Sequence, residues 1–136
     1  VIEHVEAYIE EQHPYFVLEN LDTLRKNGRL TGIKSLMASA LNIKPVMGST
    51  PEGTICQLGQ ARGVKKAIAK MAEHIVADGK NTENKVLAIA HCNCPERARE
   101  IERMILDKIK VKDSFIVETG GISTMYANDG GIIVVL

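Results

Sequence analysis

The segment Val86–Val117, VLAIAHCNCPERAREIERMILDKIKVKDSFIV, decides the class of fold. Its opening run, Val86–Ala90, is uninterrupted apolar, the pattern of a strand covered on both faces. Pro95 stands where the first turn of a helix tolerates proline, because the amide it lacks has no intrahelical partner there. Ala98, Ile101, Ile105 and Ile109 then recur at helical spacing, and Ser114–Val117 reads as a second strand. A strand, a helix and a strand joined this way form most simply a right-handed parallel crossover.

Outward from this unit the pairing changes. Ile43–Gly48 and Thr54–Ala61 are strand-like runs separated by Pro51-Glu52-Gly53, turn chemistry that predicts an antiparallel hairpin. Val64, Ala67, Ile68, Met71 and Ile75 predict a helix reaching about Ala77, with Gly79 beyond its end. Ile2, Val5 and Ile9 mark one side of an N-terminal helix that stops near His13-Pro14, since proline disfavours helical backbone in the residue before it. Tyr15–Leu18 reads as a strand, and Leu21–Asn27 as a short helix closed by Gly28. A helix from about Gly32 to Leu41 follows. At the other end, a glycine-rich loop from Gly120 to Gly131 leads into a last apolar strand, IIVVL. A parallel crossover and an antiparallel hairpin in one chain require a mixed sheet with helices packed against it. The expected architecture is therefore α/β, one domain over residues 1–136.

Composition bounds the function. Formal net charge is zero, which argues against a broad electrostatic footprint for nucleic acid. No apolar run is long enough to span a bilayer, and no basic segment precedes an apolar one in the manner of a signal peptide. Cys56, Cys92 and Cys94 make an odd count without the spacing of a disulfide framework, so reduced thiols and a cytoplasmic location are expected. The chain opens Val-Ile-Glu-His inside a helical pattern without an initiator Met, and residues upstream of it are expected.

The stretch Tyr15–Pro45, YFVLENLDTLRKNGRLTGIKSLMASALNIKP, carries the first binding hypothesis. Ile33, Leu36, Met37, Ala40 and Leu41 form a single helical stripe, and Arg29 stands just before it. A cation beside an apolar wall suits an amphiphilic anion. The alternatives are a core-facing stripe and an arginine that bonds loop carbonyls. Arg62, in GQARGVKKA, sits at a helix start, where a guanidinium and free amides both favour carboxylate or phosphate. Its bland alternative is a solvated cation.

These pieces resemble the DegV family of bacterial fatty-acid-binding proteins. The resemblance rests on Leu21, Leu24, Gly28, Arg29, Leu30 and Asn42–Pro45, on Arg62 before Lys65-Lys66-Ala67, and on the closing glycine loop GGISTMYANDGG. It covers essentially the whole chain. It implies a C-terminal domain that faces an absent N-terminal domain of similar size across a ligand cleft. It implies non-covalent binding of a long-chain fatty acid, with no cofactor and no chemistry by the chain itself. The carboxyl group would be presented to a separate fatty acid kinase. Arg62 would belong to the polar network around that carboxyl. The stripe Ile33, Leu36, Met37 and Ala40 would line the acyl tunnel, with Arg29 nearby. Tyr126 falls where many family members carry a histidine that contacts the carboxyl. A phenol can donate one hydrogen bond but cannot become a cation near neutral pH. Ser123 and Thr124 would add hydroxyl donors, although loop hydroxyls more often satisfy nearby backbone.

Other chemistry finds less support. His91-Cys92-Asn93-Cys94 holds three potential ligands, but zinc sites use wider cysteine spacing and a second ligand pair, which argues against a metal. His91 nonetheless stands at the carboxyl end of a strand, where α/β sheets often bind ligands. The Asn128-Asp129-Gly130-Gly131 run precedes a strand, whereas a phosphate cradle opens a helix, so turn formation is expected. No nucleophile motif is present. The alternative reading is a phosphotransfer enzyme related to dihydroxyacetone kinase, for which no covalent-capture histidine can be placed.

Overall fold

A computed structural model of the chain describes residues 1–31 and 42–136. The elements are α1 (Ile2–Glu11), β1 (Pro14–Val17), α2 (Asp22–Lys26), β2 (Ile43–Ser49), β3 (Ile55–Arg62), α3 (Val64–Asp78), a 3₁₀ turn (Thr82–Asn84), β4 (Val86–His91), α4 (Pro95–Leu106), β5 (Asp113–Glu118), α5 (Gly121–Ala127) and β6 (Ile132–Val135). Six strands form one sheet in the order β3-β2-β1-β6-β4-β5. β4 and β5 pair in parallel, and every other neighbouring pair is antiparallel. The mixed sheet flanked by helices is as the sequence predicts.

The larger core cluster lies on one face of the sheet. α3 buries Ala67, Ile68, Met71, Ala72 and Ile75, and α4 buries Ala98, Ile101 and Ile105, the residues spaced at helical period in the sequence. They pack against Val17, Val46, Leu87, Ile89, Ile132 and Val134 of the sheet. The Tyr15 hydroxyl donates to Asp78 at 3.1 Å and ties β1 to the end of α3. Burial raises the Tyr15 pKa above the ordinary tyrosine value, with the Asp78 charge adding to the effect.

β4 departs from expectation. Leu87, Ile89 and His91 are buried, Ala88 and Ala90 are half-buried, and Val86 is exposed. The cause is that α3 and α4 cover the same face. Register places Ala88 beside Phe115, and Ala90 beside Val117 and Ile133, on the other face. Phe115 and Val117 are 48% and 47% exposed, so that second face is uncovered at its β5 edge, whereas Met47 of β2 is fully buried on it.

α2 ends as the sequence requires. The Gly28 amide donates to the Arg25 carbonyl, and the Arg29 amide to the Leu24 carbonyl. Gly28 has φ +69°, the left-handed backbone that closes a Schellman motif and that glycine adopts without steric cost. α1 forms where its periodicity places it, yet all its residues are exposed, the Ile2, Val5 and Ile9 stripe included. The expected helix over residues 32–41 lies outside the described residues. The segment from Gly120 to Gly131 is a correction: its middle is the seven-residue helix α5 rather than a loop, and only its last part turns. The glycines border ISTMYA, which has no β-branched run long enough to resist two helical turns.

Candidate functional site

The strand ends on one edge of the sheet bring the candidate residues together. Val17 and His91 both pair with Ile132, His91 also pairs with Glu118, and Ile43 pairs with Arg62. The β1–α2, β3–α3, β4–α4, β5–α5 and α5–β6 junctions therefore share one rim.

Arg62 is the last residue of β3 and is exposed. Its partner Ile43 alternates with Pro45 and Met47 along β2, and Met47 pairs with Phe16 of β1. Strand alternation then puts Arg62 on the second face, where Pro45 and Met47 are themselves buried. Leu58, skipped where Val46 pairs with Gly59 and Met47 with Gln57, is the bulge that keeps this register. Among the described residues the Arg62 side chain makes no hydrogen bond or ion pair, while its main chain stands in the β2–β3 ladder opposite Ile43.

Tyr126 is half-buried at the end of α5. It packs against Leu18, Leu24, Cys92 and Ala127, a small cluster on the second face that Phe16, Leu30 and Ile133 also border. Arg29, next to Leu30, is exposed, and its main chain completes the cap of α2. Arg62 and Tyr126 thus share a rim and a face without sharing a contact. Arg62 lies three strand spacings from β6, roughly 14 Å at ordinary strand separation. Ser123 and Thr124 are exposed on α5, and the Thr124 hydroxyl donates to the Thr119 hydroxyl at 2.9 Å. Ile33, Leu36, Met37 and Ala40 lie outside the described residues.

His91 faces the other way. It is buried on the α4 side, where its Nδ1 accepts the Cys94 amide at 3.1 Å, at the start of α4. Burial pushes the Cys94 thiol pKa up, partly offset by the Arg97 charge. A thiol held protonated is a poor nucleophile and a poor metal ligand. Among the described residues no group of His, Cys, Asp and Glu could hold a metal ion.

Sequence reasoning missed a polar cluster at this rim. Glu19 Oε1 lies 3.1 Å from Arg97 Nη1, and Glu19 Oε2 lies 3.4 Å from Lys44 Nζ. Lys44 also donates to the Glu19 carbonyl at 2.8 Å, and Arg97 donates to the Gly130 carbonyl. These residues come from the β1–α2 junction, β2, α4 and the α5–β6 turn, and no spacing in the sequence signals their meeting. The turn itself is as expected: the Asn128 side chain donates to the Asn20 carbonyl, and the Gly130 amide to the Cys92 carbonyl.

No helix among the described residues is long and apolar enough to cross a membrane. The family model described as an uncharacterised protein of the DegV family matches residues 1–136. A DegV domain-containing protein of Streptococcus pyogenes serotype M3 is 34% identical over 137 residues, which is 98% of this chain and 47% of that protein. The chain spans about half the length of the curated relatives it matches. A DegV family protein from Ruminococcus gnavus, solved with vaccenic acid, is 70% identical with a TM-score of 0.96, covering 99% of this chain and 48% of that one. The Streptococcus pneumoniae fatty acid kinase B3 protein, loaded with linoleic acid, is 30% identical with a TM-score of 0.84, covering 98% of this chain and 47% of that one. With the family's pattern matched from the first residue to the last, and the same fold in both neighbours, the chain belongs to the DegV family.

Proposed function

We propose that this chain forms one wall of a site that holds a long-chain fatty acid without covalent chemistry. The observation that carries the reading is the sheet's second face: an apolar surface, partly uncovered, with Arg62 and Tyr126 on its rim. An N-terminal domain would close the other side. Arg62 would offer a two-pronged cation to the carboxylate, and Tyr126 a neutral donor. Ser123 and Thr124, on α5 with Tyr126, and Arg29, after α2, would add contacts, and Ile33, Leu36, Met37 and Ala40 would line the tail's channel. Each buried methylene contributes roughly 0.8 kcal/mol, so a long tail offers on the order of 10 kcal/mol before ordering costs. The tail would supply affinity, and the rim would fix orientation. The vaccenate and linoleate bound by the two similar structures support the ligand class. The kinase named for the pneumococcal protein supports the further step, in which the bound acid is presented to a separate kinase and this chain acts as a carrier, not an enzyme.

The test is denaturing extraction and mass spectrometry of the full-length protein that contains this chain. A stoichiometric fatty acid is expected. A ligand-free protein that transfers phosphate to a polar triose would overturn the carrier reading in favour of the phosphotransfer alternative. In the full-length protein, Arg62→Ala is expected to weaken fatty-acid binding about tenfold, as loss of a charge-assisted bond predicts.

A further inference from the structure

The Glu19, Lys44 and Arg97 cluster stands apart from the other ion pairs among the described residues. Arg25–Asp22 and Arg99–Glu96 are neighbours on one helix, and exposed. Pairs of that kind contribute little. Glu19, Lys44 and Arg97 instead join four segments that are distant in sequence, with side chains only 36%, 20% and 27% exposed. Each cation also donates to a main-chain carbonyl, Lys44 to Glu19 and Arg97 to Gly130. Gly130 has φ +86°, and a Cβ there would meet Arg97 Nη1 and Glu19 Cγ, both at 2.9 Å. The turn is thus built to lie against the cluster.

What the turn carries is α5. That helix has little apolar anchorage of its own: Ala127 is buried, Tyr126 is half-buried, and Ile122 and Met125 are 73% and 50% exposed. Its carboxyl end is held by Ala127 and Tyr126 in the small apolar cluster and by polar contacts in the turn that follows, from Arg97 to Gly130, from Asn128 to Asn20, and from Gly130 to Cys92.

We propose that Glu19, Lys44 and Arg97 are positioning residues for Tyr126, a latch that holds α5 at the rim and so fixes the phenol that meets the ligand's head group. This rests on the reading of the site as a fatty-acid site. Arg97 acts through the Gly130 turn and touches no ligand. Glu19 holds Arg97 in place, and Lys44 holds Glu19. The latch sets the geometry of the donor, while the tail's channel is independent of it.

Two measurements on the full-length protein test the latch. The first is displacement of a fluorescent fatty acid by vaccenate in Tyr126→Phe, Arg97→Gln and the double variant. Residues that share one network are non-additive. Each single variant is expected to weaken binding about threefold to tenfold, and the double variant no more than the worse single one. Losses that multiply in the double variant would overturn the latch, because an arginine that served only stability would act independently of the phenol. The second is amide hydrogen exchange. Arg97→Gln is expected to speed exchange at Ser123 and Asn128 at least threefold while the α3 amides keep their protection. Unchanged exchange in α5 would overturn the latch. Arg97→Lys and Glu19→Gln, milder changes that keep the fold's volume, are expected to give intermediate values and serve if Arg97→Gln fails to fold. A wild-type protein that binds no fatty acid would sink the binding reading, and the exchange arm would still decide whether the cluster holds α5.

Discussion

At the scale of single residues, polar contacts at the rim and the buried tyrosine make the sharpest claims. Gly130→Ala forces a side chain into left-handed backbone and against Arg97 and Glu19. We expect a loss of about 1–3 kcal/mol in urea unfolding, from backbone strain and local overpacking together. Tyr15 gives a pH signature. Its pKa is raised in the folded state, first by burial and then by Asp78. A raised pKa means the unfolded chain loses the phenol proton first, so the contribution is whole below the ordinary value of about 10 and fades as pH climbs past it. Thermal unfolding of the wild type should therefore fall faster above that pH than unfolding of Tyr15→Phe, and parallel curves would contradict the assignment. Arg62 was legible as a cation at a helix start because that junction is local in the chain. Glu19 and Arg97 were not, because their meeting depends on β1 and α4 arriving at the same rim.

At the scale of elements, periodicity located α1, α3 and α4 but did not say what they face. α3 and α1 both carry an apolar stripe in the sequence, and the structure buries the first and exposes the second. Ile75→Ala should cost about 2–5 kcal/mol, the range for emptying a packed site. Ile9→Ala in the isolated chain should stay within about 0.5 kcal/mol, as for an exposed position. Chemical denaturation of both variants checks the contrast, and equal losses would mean α1 is packed in solution. The run Val86–Ala90 misled in the same way. Small alanines at alternate positions look apolar enough for two covered faces, but coverage is set by where α3 and α4 dock. α5 was missed because the glycines around it signal turns, and one short helix between turn residues leaves almost no periodic trace.

At the scale of the whole molecule, the second face of the sheet governs the expectations. Phe115 and Val117 stand about half exposed beside half-buried Ala88 and Ala90. The isolated 136-residue chain should bind fatty acid far more weakly than the full-length protein, because half of the proposed enclosure is absent. Tight binding by this chain in a titration with vaccenate would refute a shared cleft. Phe115→Asp should leave the isolated chain's stability nearly unchanged while it destabilises the full-length protein by about 1–3 kcal/mol, the cost of burying an unpaired polar group. The sequence by itself determined the six strands, the helices α1 to α4, the mixed pairing and the cap at Gly28, since these follow from alternation, helical spacing and the backbone freedom of particular residues. Only the tertiary structure decided that both long helices cover one face, that Arg62 and Tyr126 share the other, and that Glu19 draws Lys44 and Arg97 to the Gly130 turn. Those are relations between segments far apart in the chain, fixed by packing and strand order, and local pattern holds no record of them.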